Sequence, residues 1–142
     1  MRRITDQHIA PRVMKQYLDK KMTFRLESLG LQGSQGPYLL AIARDSGASM
    51  KEIAAHLMVD KSITTRTVGT LIDTGFVLND SGDARRYSLV LTEKGESAVA
   101  TIEETFSEIW DNLLSDLTEE EQRALESAFA KINAKLNEEV RD

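Results

Sequence analysis

Apolar residues recur at intervals of three and four along the first part of the chain. Ile9, Val13, Tyr17, Leu18, Met22 and Leu26 form one stripe and predict a helix over residues 6–28. Gly30 is placed to end it. The following GLQGSQG does not have the spacing of a dinucleotide-binding loop and has no strand before it, so it reads as a helix-breaking loop. A second helix is expected over 37–44, with Pro37 in its first turn, and Asp45-Ser46-Gly47 makes a turn. Ser49 followed three residues later by Glu52 is a capping box for a short helix that buries Ile53, Ala54 and Leu57. Beyond Met58-Val59, Asp60 or Ser62 can cap a further helix, with Ile63, Thr67, Val68, Leu71 and Ile72 at helical spacing and Gly75 as its stop.

The period then changes. Phe76-Val77-Leu78 and Tyr87 to Leu91 are short strand-like runs around the polar stretch NDSGDARR, so the pair predicts a hairpin with an irregular tip. Thr92 can cap a long helix whose apolar series is Val99, Ile102, Phe106, Ile109, Leu113 and Leu117. Thr118 with Glu121 is a second capping box, opening a last helix with Leu125, Phe129, Ile132 and Leu136. The fold class expected is therefore mainly α with a small β-hairpin wing. Residues 35–95 would form a winged helix-turn-helix core, flanked by helices over 1–34 and 96–142.

Helix, short turn, helix and hairpin is an arrangement that can read DNA. A major groove about 12 Å wide admits one helix, which a preceding helix holds at the required angle. The exposed face of that reader helix should carry small polar and cationic groups. Lys61, Ser62, Thr64, Thr65 and Arg66 meet this requirement, and the one acid, Asp60, stands where the helix dipole favours it. Ser49 and Lys51, opening the preceding helix, are candidates for phosphate. On the hairpin, Asp83 and Arg85 are two apart and can pair on one side of an extended segment, with Arg86 beside them.

Charge qualifies this picture. The net charge of −5 argues against nucleic acid if taken as a sum, but residues 1–26 carry seven basic and two acidic side chains, residues 60–92 four of each, and residues 93–142 fourteen acidic and five basic ones. Screening beyond about 8–10 Å makes the local balance decisive. With 41% hydrophobic residues and 142 residues in all, the chain can bury a core as one domain. No apolar run approaches the roughly 20 residues of a membrane span, and MRRITDQHIAP lacks the apolar centre of a signal peptide, so a cytoplasmic protein without a membrane partner is expected.

The stretch SMKEIAAHLMVDKSITTRTVGTLIDTGFV, then Asp83-Ala84-Arg85, then Leu91-Thr92-Glu93-Lys94-Gly95, resembles the MarR family of transcription regulators. The resemblance covers nearly the whole chain. It implies a homodimer in which N- and C-terminal helices intertwine while two winged domains straddle a palindromic site. Ser62, Thr64, Thr65 and Arg66 fall on the reader helix, and Asp83 and Arg85 on the wing pair, with the arginine in the minor groove. It also implies release of double-stranded DNA by a small aromatic, anionic effector, for which Arg12, Tyr17, Arg25, Tyr38, Arg44 and Trp110 are candidates. One departure stands out: Leu78-Asn79-Asp80 occupies the place where the family usually has an arginine, which leaves one phosphate contact without a residue.

A homodimer is expected without the family as well, because one reader helix contacts few bases and two-fold proteins read half-sites about 34–36 Å apart. Val99 to Leu117 and Leu125 to Leu136 are the candidate seams, the other reading being that they complete one monomer core. The absence of cysteine excludes thiol chemistry and cysteine zinc sites. His8 and His56 lack partners at ligand spacing, so neither metal nor cofactor is expected. No serine elbow, H-E-x-x-H or phosphate loop suggests an enzyme. The expectation is a DNA-binding regulator, most simply a repressor. The alternative is a winged-helix protein-interaction module with weak or lost DNA binding.

Overall fold

The computed structural model describes residues 11–83 and 85–141. Its elements are α1 (Pro11–Ser28), a 3-10 turn (Gly33–Gln35), α2 (Gly36–Arg44), α3 (Met50–Leu57), α4 (Lys61–Asp73), β1 (Val77–Asn79), β2 (Leu89–Leu91), α5 (Glu93–Leu113) and α6 (Glu119–Arg141). The described residues form two compact units, divided between Ser107 and Glu108. The mainly helical class with a small two-stranded wing is the one expected. Residues 6–10 of the expected first helix lie outside the described residues.

Local chemistry fixes the element boundaries. α1 closes with the Leu31 N–H donating to the Leu26 carbonyl (2.9 Å) and the Gly30 N–H to that of Glu27 (3.0 Å), around Gly30 in the left-handed region. The same pair of bonds ends α4, from Phe76 to Leu71 and from Gly75 to Ile72. The Ser49 capping box forms as expected: Ser49 Oγ accepts from the Glu52 N–H (3.1 Å), and the Glu52 carboxylate accepts from the Ser49 N–H (3.4 Å). In the C-terminal unit, Thr118 and Glu121 do likewise at 3.0 and 3.1 Å.

In the unit ending at Ser107, α2, α3, α4 and the start of α5 enclose a core in which Leu26, Leu39, Ile42, Ile53, Leu71 and Phe76 are fully buried. Each such side chain contributes roughly 1.5–3 kcal/mol by leaving water. β1 and β2 pair antiparallel with Val77 opposite Leu91, Leu78 opposite Val90 and Asn79 opposite Leu89. A third segment joins β2 on its other side, where the Gly47 N–H donates to the Leu89 carbonyl (2.8 Å) and the Leu89 N–H to that of Ala48 (2.9 Å). The turn before α3 is thereby tied to the wing.

The junction between α4, β1 and α5 is held by a cluster of hydrogen bonds. Thr92 caps α5, its Oγ1 accepting from the Gly95 N–H (3.1 Å) and donating to the Gly75 carbonyl (2.6 Å). The Thr92 N–H donates to the Phe76 carbonyl (3.1 Å), and Lys94 Nζ to the Thr74 carbonyl (2.8 Å). Three successive carbonyls in the link between α4 and β1 are thus satisfied by one short segment. Gly95 lets that segment come close, since a Cβ at this position would collide with the Phe76 carbonyl oxygen.

The apolar stripes of the outer helices are only partly used. In α1, Leu26 is buried and Met22 packs on the core, but Val13 and Phe24 are exposed. α6 has no buried residue, and Ile132, Leu136 and Val140 are all more than half exposed. Val99 and Ile102 of α5, expected at a dimer seam, instead complete the core of their own unit.

Gly95→Ala is expected to lower unfolding stability by about 3 kcal/mol, because a main-chain carbonyl pinned by Thr92 cannot retreat from the added methyl. Urea denaturation with an unchanged m-value would measure it, and a loss under about 1 kcal/mol would show that the junction relaxes.

Candidate nucleic-acid interface

The site is built outward from the turn between α3 and α4. α3 ends at Met58, which adopts φ 54, the left-handed region that a side chain disfavours. The Val59 N–H reaches the Ala54 carbonyl (3.0 Å), and the next residue, Asp60, opens α4. Of the two cap candidates the structure uses Asp60, whose Oδ1 accepts from the Ser62 N–H (2.9 Å) and hydroxyl (3.1 Å). The Ser62 amide bond first, and its hydroxyl bond second, lower the Asp60 pKa below 3.8.

The first turn of α4 is phased differently from the expectation. Thr64 is fully buried, and its hydroxyl has no hydrogen-bond partner among the described residues. It lies four and seven residues before the buried Val68 and Leu71, on the same stripe. Thr64 is therefore a core residue, not part of the exposed reader face, and its unpaired hydroxyl costs about 1–3 kcal/mol. Ile63, expected inside, is instead 48% exposed. Lys61, Ser62, Thr65 and Arg66 are exposed as expected, and Thr70 joins them. Thr65 Oγ1 donates to the Lys61 carbonyl (2.8 Å), which fixes its rotamer and leaves its oxygen able to accept.

The wing also differs in detail. Asp83 and Arg85 do not form a side-chain ion pair; the Asp83 carboxylate accepts from the Arg85 backbone N–H (2.8 Å). The chain turns at Arg85, and an aspartate two residues before a turning amide meets that amide first. The arginine side chain is left exposed. Asn79, in the segment that lacks the expected arginine, is consumed by the wing itself. Its Nδ2 donates to the Asp83 carbonyl (3.2 Å), and its Oδ1 accepts from the Ser88 N–H (3.0 Å) and the Ser81 N–H (3.3 Å).

Three separate segments meet in one depression of about 490 Å³, lined by Ser49, Met50, Lys51, Lys61, Thr65, Arg85, Arg86 and Tyr87. Four of these eight side chains are cationic and none is acidic. The depression joins the cap of α3, the first turns of α4 and the base of the wing. The sequence had nominated six of the eight; Met50, which also packs in the core, was passed over, and Tyr87 was read only as a strand residue. Ser62 and Arg66 stand on the exposed face of α4 but do not line it.

The residues named for an effector differ in burial. Tyr38 is 5% exposed and belongs to the core, so its ring is taken up by packing and is not available to stack a ligand. Arg12 and Arg44 are exposed, and Tyr17 and Arg25 are half-buried. Trp110, in the C-terminal unit, packs edge-on to Phe129 at a centroid distance of 6.4 Å. Among the described residues no group of three or more His, Cys, Asp and Glu side chains could hold a metal, and no helix is long and apolar enough to cross a membrane.

Comparison with known proteins gives a consistent picture. A sequence profile of the MarR family matches residues 29–86. The helix-turn-helix-type transcriptional regulator BilQ of Clostridioides difficile strain CD3 is 34% identical over 77 residues, 53% of this chain and about half (51%) of that protein. YwoH of Bacillus subtilis strain 168, an uncharacterised regulator of the same type, is 31% identical over 111 residues, 78% of this chain and 81% of YwoH. A MarR transcriptional regulator from Methanosarcina mazei superposes with a TM-score of 0.73 at 25% identity, over 89% of this chain and 93% of that one. MepR of Staphylococcus aureus, solved in complex with DNA, shares the fold with a TM-score of 0.66 at 22% identity, over 88% and 92% of the two chains.

The Asp60 cap has a pH signature. Because its folded pKa is lowered, its contribution is fully present above the unfolded value of 3.8 and is lost as pH falls through the lower folded value. The stability gap between the wild type and Asp60→Asn should therefore shrink on acidification below pH 3.8. Urea midpoints of both proteins between neutral pH and strong acid would test this, and a gap constant with pH would rule out the charged cap.

Proposed function

As the chain belongs to the MarR family of DNA-binding transcription regulators, we propose that it is a homodimeric repressor. Its two α4 helices enter successive major grooves of a palindromic operator while its wings reach the adjacent minor grooves. The observation that carries this reading is the acid-free depression that gathers Lys51, Lys61, Arg85 and Arg86 from three segments. A basic surface with Ser and Thr hydroxyls between its cations suits a phosphate backbone, which supplies most of the affinity for DNA and sets the register. Arg66 and Ser62, exposed on α4 beside it, are then available for base edges.

The two-fold arrangement draws support from the outer helices. Val13, Phe24, Ile132, Leu136 and Val140 present apolar area to solvent in a chain whose core is already complete without them. Exposed apolar stripes of this kind mark association surfaces. Two readers related by a two-fold axis also match half-sites one helical turn apart. The protein-interaction alternative rests on the Leu78-Asn79-Asp80 segment, where Asn79 is engaged inside the wing and supplies no cation. Five other cations remain on the face, so one contact fewer reduces the affinity without abolishing it.

Fluorescence anisotropy with a duplex from the region upstream of its own gene, over a range of salt, tests the reading. Arg85→Ala and Arg66→Ala should each weaken binding by about tenfold, as loss of a good phosphate or bidentate base contact does. Unchanged affinity in both variants would defeat the DNA reading. In size-exclusion chromatography with light scattering, the protein should appear at twice 15.9 kDa; a clean monomer would remove the two-fold half.

A further inference from the structure

The sequence assigned no task to Lys94 beyond its place in Leu91 to Gly95. We infer that Lys94 is a positioning residue for DNA recognition: its ammonium, held between the Thr74 carbonyl and the Phe76 ring, fixes the reader helix against the base of the wing without touching DNA. The inference rests on the DNA reading above.

Lys94 Nζ donates to the Thr74 carbonyl at 2.8 Å and lies 4.3 Å from the centroid of the Phe76 ring. Its stem crosses the end of α4, with Cδ 3.9 Å from where a Gly75 Cβ would stand. A cation in this place has three favourable partners. One is an orphan carbonyl of the last turn, another is the negative end of the α4 dipole, and the third is an aromatic face. Phe76 is fully buried and directly precedes β1, while Thr74 is the C-cap of the reader helix. One side chain from α5 thus holds the three-residue link between α4 and β1, and that link sets where Lys61, Thr65 and Arg66 stand relative to Arg85 and Arg86.

Leverage makes the link consequential. α4 has 13 residues, so it is about 20 Å long, and a tilt of about 10° pivoted at its end moves its start by about 3 Å. Recognition groups must be held to about 0.5 Å and 10–20°. Val68 and Leu71 anchor the middle of α4 in the core, and Lys94 anchors its end. Thr92 holds the Gly75 and Phe76 carbonyls with uncharged bonds, which leaves Lys94 as the charged member of the group.

The test compares Lys94→Met, which keeps the stem and removes the charge, with Lys94→Arg and with Lys51→Met as a phosphate-contact control. Binding is measured by anisotropy at several salt concentrations on the 30-bp duplex that the wild type selects from a random library. Lys94→Met should bind about tenfold more weakly with the slope of log K against log[salt] unchanged, whereas Lys51→Met should lower that slope by about 0.9. Lys94→Arg should restore affinity to within about twofold of wild type. Without DNA, amide exchange at Gly75 and Phe76 should be several-fold faster in Lys94→Met and normal in Lys94→Arg.

A slope that falls in Lys94→Met as it does in Lys51→Met would make Lys94 a phosphate contact and overturn the inference. Unchanged exchange at Gly75 and Phe76 would overturn it as well, whatever the DNA result. If the wild type enriches no duplex, the DNA reading itself fails and the recognition role falls with it, while exchange still decides whether the link exists.

Discussion

The link between a helix and a strand leaves main-chain carbonyls in need of partners, and in this protein the fold turns on how one such set is satisfied. The carbonyls of Thr74, Gly75 and Phe76 receive Lys94 Nζ, Thr92 Oγ1 and the Thr92 amide. The same threonine hydroxyl caps α5 by accepting from Gly95. One residue therefore holds the link that follows the reader helix, ties the first wing strand to the second and starts the long helix. Each element by itself is marginal: strands of three residues and a two-stranded ribbon do not stand alone in water. Joined at this point, and with β2 also bound to Ala48, they share one core and act as a frame for the cations around them.

What could be read from sequence follows from how far each determinant reaches. Caps are local, so Ser49 with Glu52, Thr118 with Glu121, and the stops at Gly30 and Gly75 were all legible and formed as expected. The phase of α4 was legible in principle but misread. The spacing of Val68 and Leu71 already points to residue 64, yet Ile63 is the more apolar neighbour and was given the buried place. Period outweighed residue type, at the cost of an unpaired hydroxyl. The Asp83–Arg85 pairing failed for a similar reason: an extended backbone was assumed where the chain turns. Lys94 was invisible because its partner lies 20 residues away, and nothing in local pattern reports such a contact. Gly95 was recognised as part of a motif, but the need for it, a carbonyl too close for any Cβ, exists only in three dimensions.

Charge behaves in the same local way. A chain with a net charge of −5 nonetheless presents a depression lined by four cations and no acid. Much of the acidity belongs to α5 and α6, where Glu119, Glu120 and Glu121 stand in the first turn of α6 and complement its dipole. Three acids in the segments that build the basic face are engaged with backbone amides. Asp60 caps α4, Asp83 turns the wing and Glu52 closes the α3 capping box. Carboxylates engaged with backbone amides offer less repulsion to an approaching anion than free ones would, and they hold the cations' backbones in place.

The three residues between α3 and α4 carry a further consequence. Met58 reverses the chain in a left-handed conformation, Val59 follows, and Asp60 caps the next helix at once. Every side chain of α4 is phased from that cap. An α-helix advances about 100° per residue, so one residue inserted or deleted there would swing Thr64 out of the core and bring a neighbour in, turning the exposed face away as a block. The turn is thus a ruler, and its length sets which side chains of α4 face out.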